Sequence, residues 1–261
     1  INYSFQAFKK IIYRYMPKTI IQFVWLKYKF LIPFMVWANY KKINIILWSS
    51  GTNIYNHPGR LLNQLYHLRQ WLSTAFILYT ENEEKYFIKS SDGRRFIARN
   101  TLNFIDFIIP NKSKILLKEK YNLQDKIVLL SVGRMNDNKR NYKDLIELSG
   151  YLPENYNIIV IGTGITSEQK KELISSKMID CLGPIYDNKI INEYYKLSDI
   201  FFMPGMIGLA INHAFYFSKP VIYKKMVGNP PEDFYFKEGY NGYSYQDGGI
   251  EYVSKKIIKL C

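Results

Sequence analysis

Two cations five positions apart, Arg134 and Lys139, stand in the run Ser131-Val-Gly-Arg-Met-Asn-Asp-Asn-Lys139. The apolar stretch Ile127 to Val132 precedes it and a helical pattern begins near Asn141, so the block lies where a strand hands over to a helix. A small Gly133 at that handover lets the backbone approach a phosphate, and Arg134 and Lys139 can converge on it as charge-assisted donors. In a chain this rich in basic residues the same pair is equally suited to be solvated loop cations.

Two further glycine-bearing turns follow. Ile158-Ile-Val-Ile-Gly-Thr-Gly164 is an apolar strand running into G-x-G, but Ser167 stands where a dinucleotide fingerprint needs its third glycine. A hydride-transfer cofactor is therefore not expected, and a tight turn needing glycine for its backbone angles accounts for the block. Leu182-Gly-Pro-Ile185 precedes a strand that ends at Pro204, after which Gly205-Met-Ile-Gly-Leu-Ala-Ile-Asn-His-Ala214 turns into a helix. The free N–H groups and positive dipole end of that helix suit a diphosphate. His213, about one turn in, is placed either to meet a ribose hydroxyl or to be a satisfied core residue.

The elements that must position these blocks are legible in the periodicity. β-branched runs at Ile20 to Trp25, Ile43 to Trp48, Phe76 to Tyr79, Ile127 to Val132, Asn157 to Ile161, Ile200 to Met203 and Val221 to Tyr223 read as strands of parallel sheets. Helical faces are marked by Leu61, Leu62, Leu65, Leu68 and Leu72, by Leu145, Leu148 and Leu152, and by Ala210, Ala214 and Phe217. Strands alternating with helices predict a doubly wound α/β architecture with ligands at the carboxyl ends of the strands. The weakly periodic, lysine-rich stretch Asn103 to Asp125 separates two strand series. Two Rossmann-like domains with parallel sheets are expected, 1–110 with an incomplete first sheet and 111–261 nearly whole.

Composition narrows the function classes. The chain has 261 residues, 48% hydrophobic and 22% charged, with 36 Lys and Arg against 22 Asp and Glu for a formal charge of +14. That is a globular protein whose favoured partners are anionic: phosphates, nucleic acid or a negatively charged membrane surface. Two cysteines, Cys181 and Cys261, make neither a disulfide framework nor a C-x-x-C box, so a reducing cytoplasm is the simplest compartment. No D-x-D pair is present to hold a divalent cation on a diphosphate, and no metal site is expected. The apolar stretch Thr19 to Trp37 is broken by Lys27, Lys29 and Pro33, which favours a strand and a helix over a membrane span. The first residue is Ile1, in mid-pattern and without a signal peptide, and a missing upstream piece is expected.

The ordered set of blocks from about Lys126 to the chain end, with Pro220-Val-Ile and Gly239-Tyr-Asn-Gly242, resembles the C-terminal domain of GT-B glycosyltransferases, specifically the retaining nucleotide-sugar enzymes of family 4. The resemblance implies that Arg134 and Lys139 grip the donor diphosphate beside Gly133, and that Gly183, Pro184 and Ile185 line the base pocket. Gly208-Leu209 matches the family's Gly-Leu turn, which puts Gly205 and His213 where the family has two glutamates. Sugar contacts must then come from backbone N–H groups or elsewhere, and His213 would replace the second glutamate as ribose partner through one donor and one acceptor. The Pro-Gly-x-x-Gly-Leu pattern with His-Ala resembles surface-polysaccharide transferases. The first 110 residues resemble the family's acceptor-side domain more faintly, in Leu47-Trp-Ser-Ser-Gly51, Tyr79-Thr-Glu-Asn82 and Arg99-Asn-Thr-Leu102; neither His57 nor His67 stands at a matching position.

The resemblance implies transfer of a sugar from a nucleotide-diphosphate donor to a saccharide or lipid-linked acceptor, with retention, without metal and with no cofactor beyond the donor. A non-catalytic transferase-like subunit is the alternative, because Gly205, His213 and Ser50 depart from the family's positions. A basic nucleic-acid binder would suit the charge and the 16% aromatic content, but the lysines are spread along the chain and no recognition motif is present. The segment Phe5 to Lys18 mixes four cations with apolar residues and reads either as a contact with the inner, anionic membrane face or as an amphipathic helix covering a sheet.

Overall fold

The computed structural model describes residues 4–23, 30–52, 59–105, 107–135, 140–226 and 228–261; Lys139 and His57 lie outside the described residues. The chain divides into two units, Ile1–Asn100 and Thr101–Cys261. The first contains α1 (Phe5–Tyr15), β1 (Thr19–Phe23), α2 (Leu31–Tyr40), β2 (Asn44–Trp48), α3 (Arg60–Trp71), β3 (Ala75–Leu78) and β4 (Arg95–Ile97). Its strands form one parallel sheet in the order β1-β2-β3-β4. Helix α1 starts where the Ser4 hydroxyl accepts from the Ala7 amide and stops where Met16 turns left-handed, so its length is set by its caps. Ile12, Phe34, Met35, Ala38, Ile45, Leu47, Phe76 and Leu78 form this unit's core, and Phe5 and Phe8 pack on it.

Helix α3 departs from the expected leucine face. Leu72 is buried, but Leu61, Leu62, Leu65 and Leu68 are exposed, and the α3 residues that are buried are Arg69 and Gln70. The reason is polar satisfaction. Gln70 donates to the Gly51 and Tyr86 carbonyls, at 3.2 and 3.0 Å, and accepts from the Ile88 amide at 2.8 Å, closing three backbone bonds that the loops cannot close for themselves.

The second unit contains α4 (Lys114–Lys120), β5 (Ile127–Val132), α5 (Lys143–Ser149), β6 (Tyr156–Ile161), α6 (Ser167–Ile174), β7 (Ile179–Gly183), α7 (Asn188–Leu197), β8 (Ile200–Met203), α8 (Ala210–Tyr216), β9 (Val221–Lys224), β10 (Gly242–Tyr245) and α9 (Ile250–Leu260). All six strands are parallel, in the order β10-β9-β8-β5-β6-β7. Chain order reverses between β5 and β8, which makes their carboxyl ends the topological switch point. Two apolar layers sandwich the sheet, one around Leu145, Leu148, Val253 and Ile257 and the other around Leu117, Tyr195, Ile211 and Ala214.

Phe104, Phe107 and Ile108, read in sequence with the first domain, pack on the second unit. Phe104 stacks on Tyr216 at 4.6 Å, Tyr216 donates its hydroxyl to the Phe107 carbonyl at 3.0 Å, and Asn192 donates to the Ile108 carbonyl at 3.2 Å. The architecture is α/β with two parallel sheets, as the strand pattern predicted. Strands β4, β7 and β10, which that pattern did not reveal, each lie at a sheet edge.

Candidate functional site

Three glycine turns meet above the carboxyl ends of β5, β6 and β7. The Gly133 amide donates to the Ile161 carbonyl at 2.9 Å, the Met135 amide to the Thr163 carbonyl at 2.8 Å, and the Gly162 amide to the Gly183 carbonyl at 2.9 Å. This stitching explains Gly162 and Gly164. A Cβ on Gly162 would lie 1.8 Å from the Gly133 oxygen, and one on Gly164 1.9 Å from the Met135 oxygen, so both positions must stay bare for the turns to close.

Across the switch point, the loop after β5 is tied to the loop after β8. Arg140 pairs its backbone with Gly205, and the Asn141 amide donates to the Pro204 carbonyl at 2.8 Å. The Arg140 side chain then spans both loops, donating from Nε to the Met206 carbonyl at 2.8 Å and from Nη1 to the Arg134 carbonyl at 3.1 Å. Burial pulls its pKa below the ordinary arginine value, yet it remains a cation at neutral pH. Among the described residues neither Arg134 nor Arg140 has a carboxylate partner. Two uncompensated guanidinium groups are thus attached to one switch point, one exposed and one half-buried. Sequence reasoning missed Arg140, since nothing local marks it among the other cations of a basic chain.

The other expected residues are distributed as follows. Gly183 has φ of +78° at the end of β7, Pro184 is exposed, and Ile185 packs partly on the core. Gly205 is buried, Gly208 has φ of +53°, and the half-exposed Leu209 caps the start of α8. The structure brings Gly133, Arg134, Gly205 and Gly208 to the switch point and leaves Gly183 two strands away, beyond β6.

His213 departs from its expected setting. Its ring stacks on Tyr195 at 3.7 Å, meets Phe107 edge-on at 4.5 Å, and its Nε2 lies 3.1 Å from Asn192 Oδ1. Because Asn192 spends its amide nitrogen on the Ile108 carbonyl, its oxygen faces the imidazole, and this orientation assigns the proton to Nε2. Burial lowers the His213 pKa to about 4, so the ring is neutral. A donor and an acceptor for a ribose were expected of it; the donor is already committed inside the fold, and at most Nδ1 can meet a ligand.

The family model of glycosyl transferases group 1 matches residues 113–261. Similar solved structures include a glycosyltransferase from Rickettsia africae, 15% identical with a TM-score of 0.74 over 98% of this chain and 69% of that one. A sucrose-phosphate synthase from Thermosynechococcus elongatus is 16% identical, with a TM-score of 0.70 over 98% of this chain and 67% of its own. Anabaena HepE, solved with UDP, is 16% identical with a TM-score of 0.69 over 88% of this chain and 66% of its own. The present chain therefore spans just under two thirds of HepE. No curated protein matches by sequence. Likeness at these identities establishes the GT-B fold. With a family match that runs from residue 113 to residue 261, more than half of the chain, the protein belongs to the group 1 glycosyl transferases.

Proposed function

We propose that the chain transfers a sugar from a nucleotide-diphosphate donor to a saccharide or lipid-linked acceptor in surface-polysaccharide synthesis. The observation that carries this reading is the pair of guanidinium groups, Arg134 and Arg140, without a carboxylate partner among the described residues, on loops stitched across the switch point of a parallel sheet. When the bond from the sugar to the diphosphate breaks, negative charge develops on the departing phosphate. Cations fixed in place beforehand stabilise that charge without reorganising. Arg134, Lys139 and Arg140 are assigned this role, with Gly133 giving close backbone approach; Gly183, Pro184 and Ile185 take the base, and Gly205, Gly208 and Leu209 the sugar side. Support for a uridine donor comes from two relatives of like fold that were solved with UDP, HepE and Staphylococcus aureus MnaA, the latter with a TM-score of 0.60. HepE was also solved with UDP-glucose. In this reading the reaction proceeds with retention and needs neither a metal nor a cofactor beyond the donor.

The reading extends to a peripheral position on the cytoplasmic membrane face. Helix α1 buries Ile12 against the core and exposes Ile11, Tyr15 and Met16 next to Lys9, Lys10 and Arg14, a surface suited to anionic headgroups. No helix among the described residues is long and apolar enough to cross a membrane. A second reading, a transferase-like subunit without catalysis, is favoured by the missing carboxylate at Gly205 and the commitment of His213 to Asn192. A thermal-shift panel of UDP, GDP and dTDP followed by a donor-turnover assay tests both. A ligand at 100 times its Kd adds about 2.7 kcal/mol of stability. Binding without turnover selects the second reading, and no nucleotide binding overturns both.

A further inference from the structure

The first unit holds a buried cation that no carboxylate among the described residues balances. Arg69, on α3, is 1% exposed, and among the described residues its one hydrogen bond runs from Nη2 to the Ser49 hydroxyl at 3.2 Å. Nε and Nη1 are buried without any acceptor. Among the described residues the side chain has no carboxylate partner, and the group that acts on it electrostatically is the Tyr66 phenol, whose ring lies 5.0 Å from the guanidinium carbon. Burial pushes the arginine down to about 10, which still leaves it charged at neutral pH. An aromatic face offsets part of such a charge, but it accepts none of the N–H donors. A buried guanidinium with two empty nitrogens is a large desolvation penalty that folded proteins relieve with an anion.

The surroundings indicate which anion. Arg69 reaches the turn that follows β2, at the carboxyl end of a parallel strand, where α/β sheets bind ligands. Ser49 Oγ already accepts from both Arg69 and the Gly51 amide, at 3.2 and 3.0 Å, so its own hydrogen is free to donate outward. In the same turn Thr52 Oγ1 is also buried and unpartnered. A guanidinium with two hydroxyls offers donors from several directions, which suits the tetrahedral oxygens of a phosphate better than a planar carboxylate. We propose that Arg69, with the hydroxyls of Ser49 and Thr52, forms a phosphate-binding site in the first unit. This inference does not rest on the glycosyl-transfer reading, because its test measures phosphate binding itself.

The test is calorimetric titration of the full chain with inorganic phosphate, against chloride at matched ionic strength, in wild type and in Arg69→Met. Phosphate held elsewhere contributes equally to both proteins, so the difference belongs to Arg69. The expected result is saturable phosphate binding at least about tenfold weaker in Arg69→Met, with Arg69→Lys in between. Equal phosphate affinity in wild type and Arg69→Met, or no binding beyond the chloride control, overturns the proposal. Should Arg69→Met not fold, Ser49→Ala keeps the guanidinium in place and is expected to weaken phosphate binding several-fold, an unchanged affinity again overturning it. Glucose 6-phosphate in place of phosphate separates the sources: tighter binding identifies a phosphorylated saccharide, and equal binding the free ion.

Discussion

Arg140 Nε donates to the Met206 carbonyl at 2.8 Å, so one side chain fastens the loop after β5 to the loop after β8 across the point where strand order reverses. Any ligand seated there rests on two loops whose separation Arg140 holds. Replacing it with Met leaves the Met206 and Arg134 carbonyls without a donor, and a loss of about 1–3 kcal/mol in stability is expected from urea unfolding. Arg140→Lys keeps the charge and should retain more UDP affinity than Arg140→Gln, as read by calorimetry. Equal affinities in the two variants would show that Arg140 only ties the loops.

Arg134→Ala combined with Lys139→Ala should leave the fold intact, since the Arg134 side chain is exposed, and weaken UDP binding by tens of fold or more. Charged hydrogen bonds contribute about 1.5–3 kcal/mol each. An unchanged UDP affinity in the double variant would remove both residues from the site.

His213 gives a pH signature. Its pKa falls from 6.5 to about 4 on burial, so below pH 6.5 the unfolded chain takes up a proton that the folded chain refuses. This contribution is complete above pH 6.5 and is lost as pH drops toward 4, by about 2 kcal/mol after allowance for partial exposure of the ring. Denaturant unfolding at pH 7 and pH 5 should show a smaller loss for His213→Gln, which keeps a donor for Asn192, than for wild type. Parallel losses in the two proteins would mean that the imidazole titrates normally in the folded state.

Donor turnover is expected to survive EDTA, because the chain has no D-x-D pair and the diphosphate is assigned to fixed cations. Strict dependence on added Mn²⁺ or Mg²⁺ would contradict that assignment.

The sequence by itself determined what is buried on both faces. Strands β5 and β8, central in a parallel sheet, are apolar runs broken only by Ser131, and Ile127–Val132 and Ile200–Met203 were legible to the residue. The glycine blocks were legible for a similar reason: turns that must pass within contact of one another permit no side chain, and that restriction is written in residue type. Edge strands β4, β7 and β10 were not legible, because they are short and include residues such as Arg95, Asp180 and Ser244, whereas edge strand β1 keeps the β-branched run that made it readable. Tertiary structure alone decided which polar groups turn inward. The leucines of α3 form a periodic stripe, yet the unit buries Arg69 and Gln70 instead, because the loops around Gly51 and Ile88 need partners that only a side chain from another element can supply. The same holds for Arg140, which reaches the Met206 carbonyl, and for His213 facing Asn192. Hydrogen-bond demand comes from segments distant in the chain, and no local pattern of residues encodes where that demand will fall.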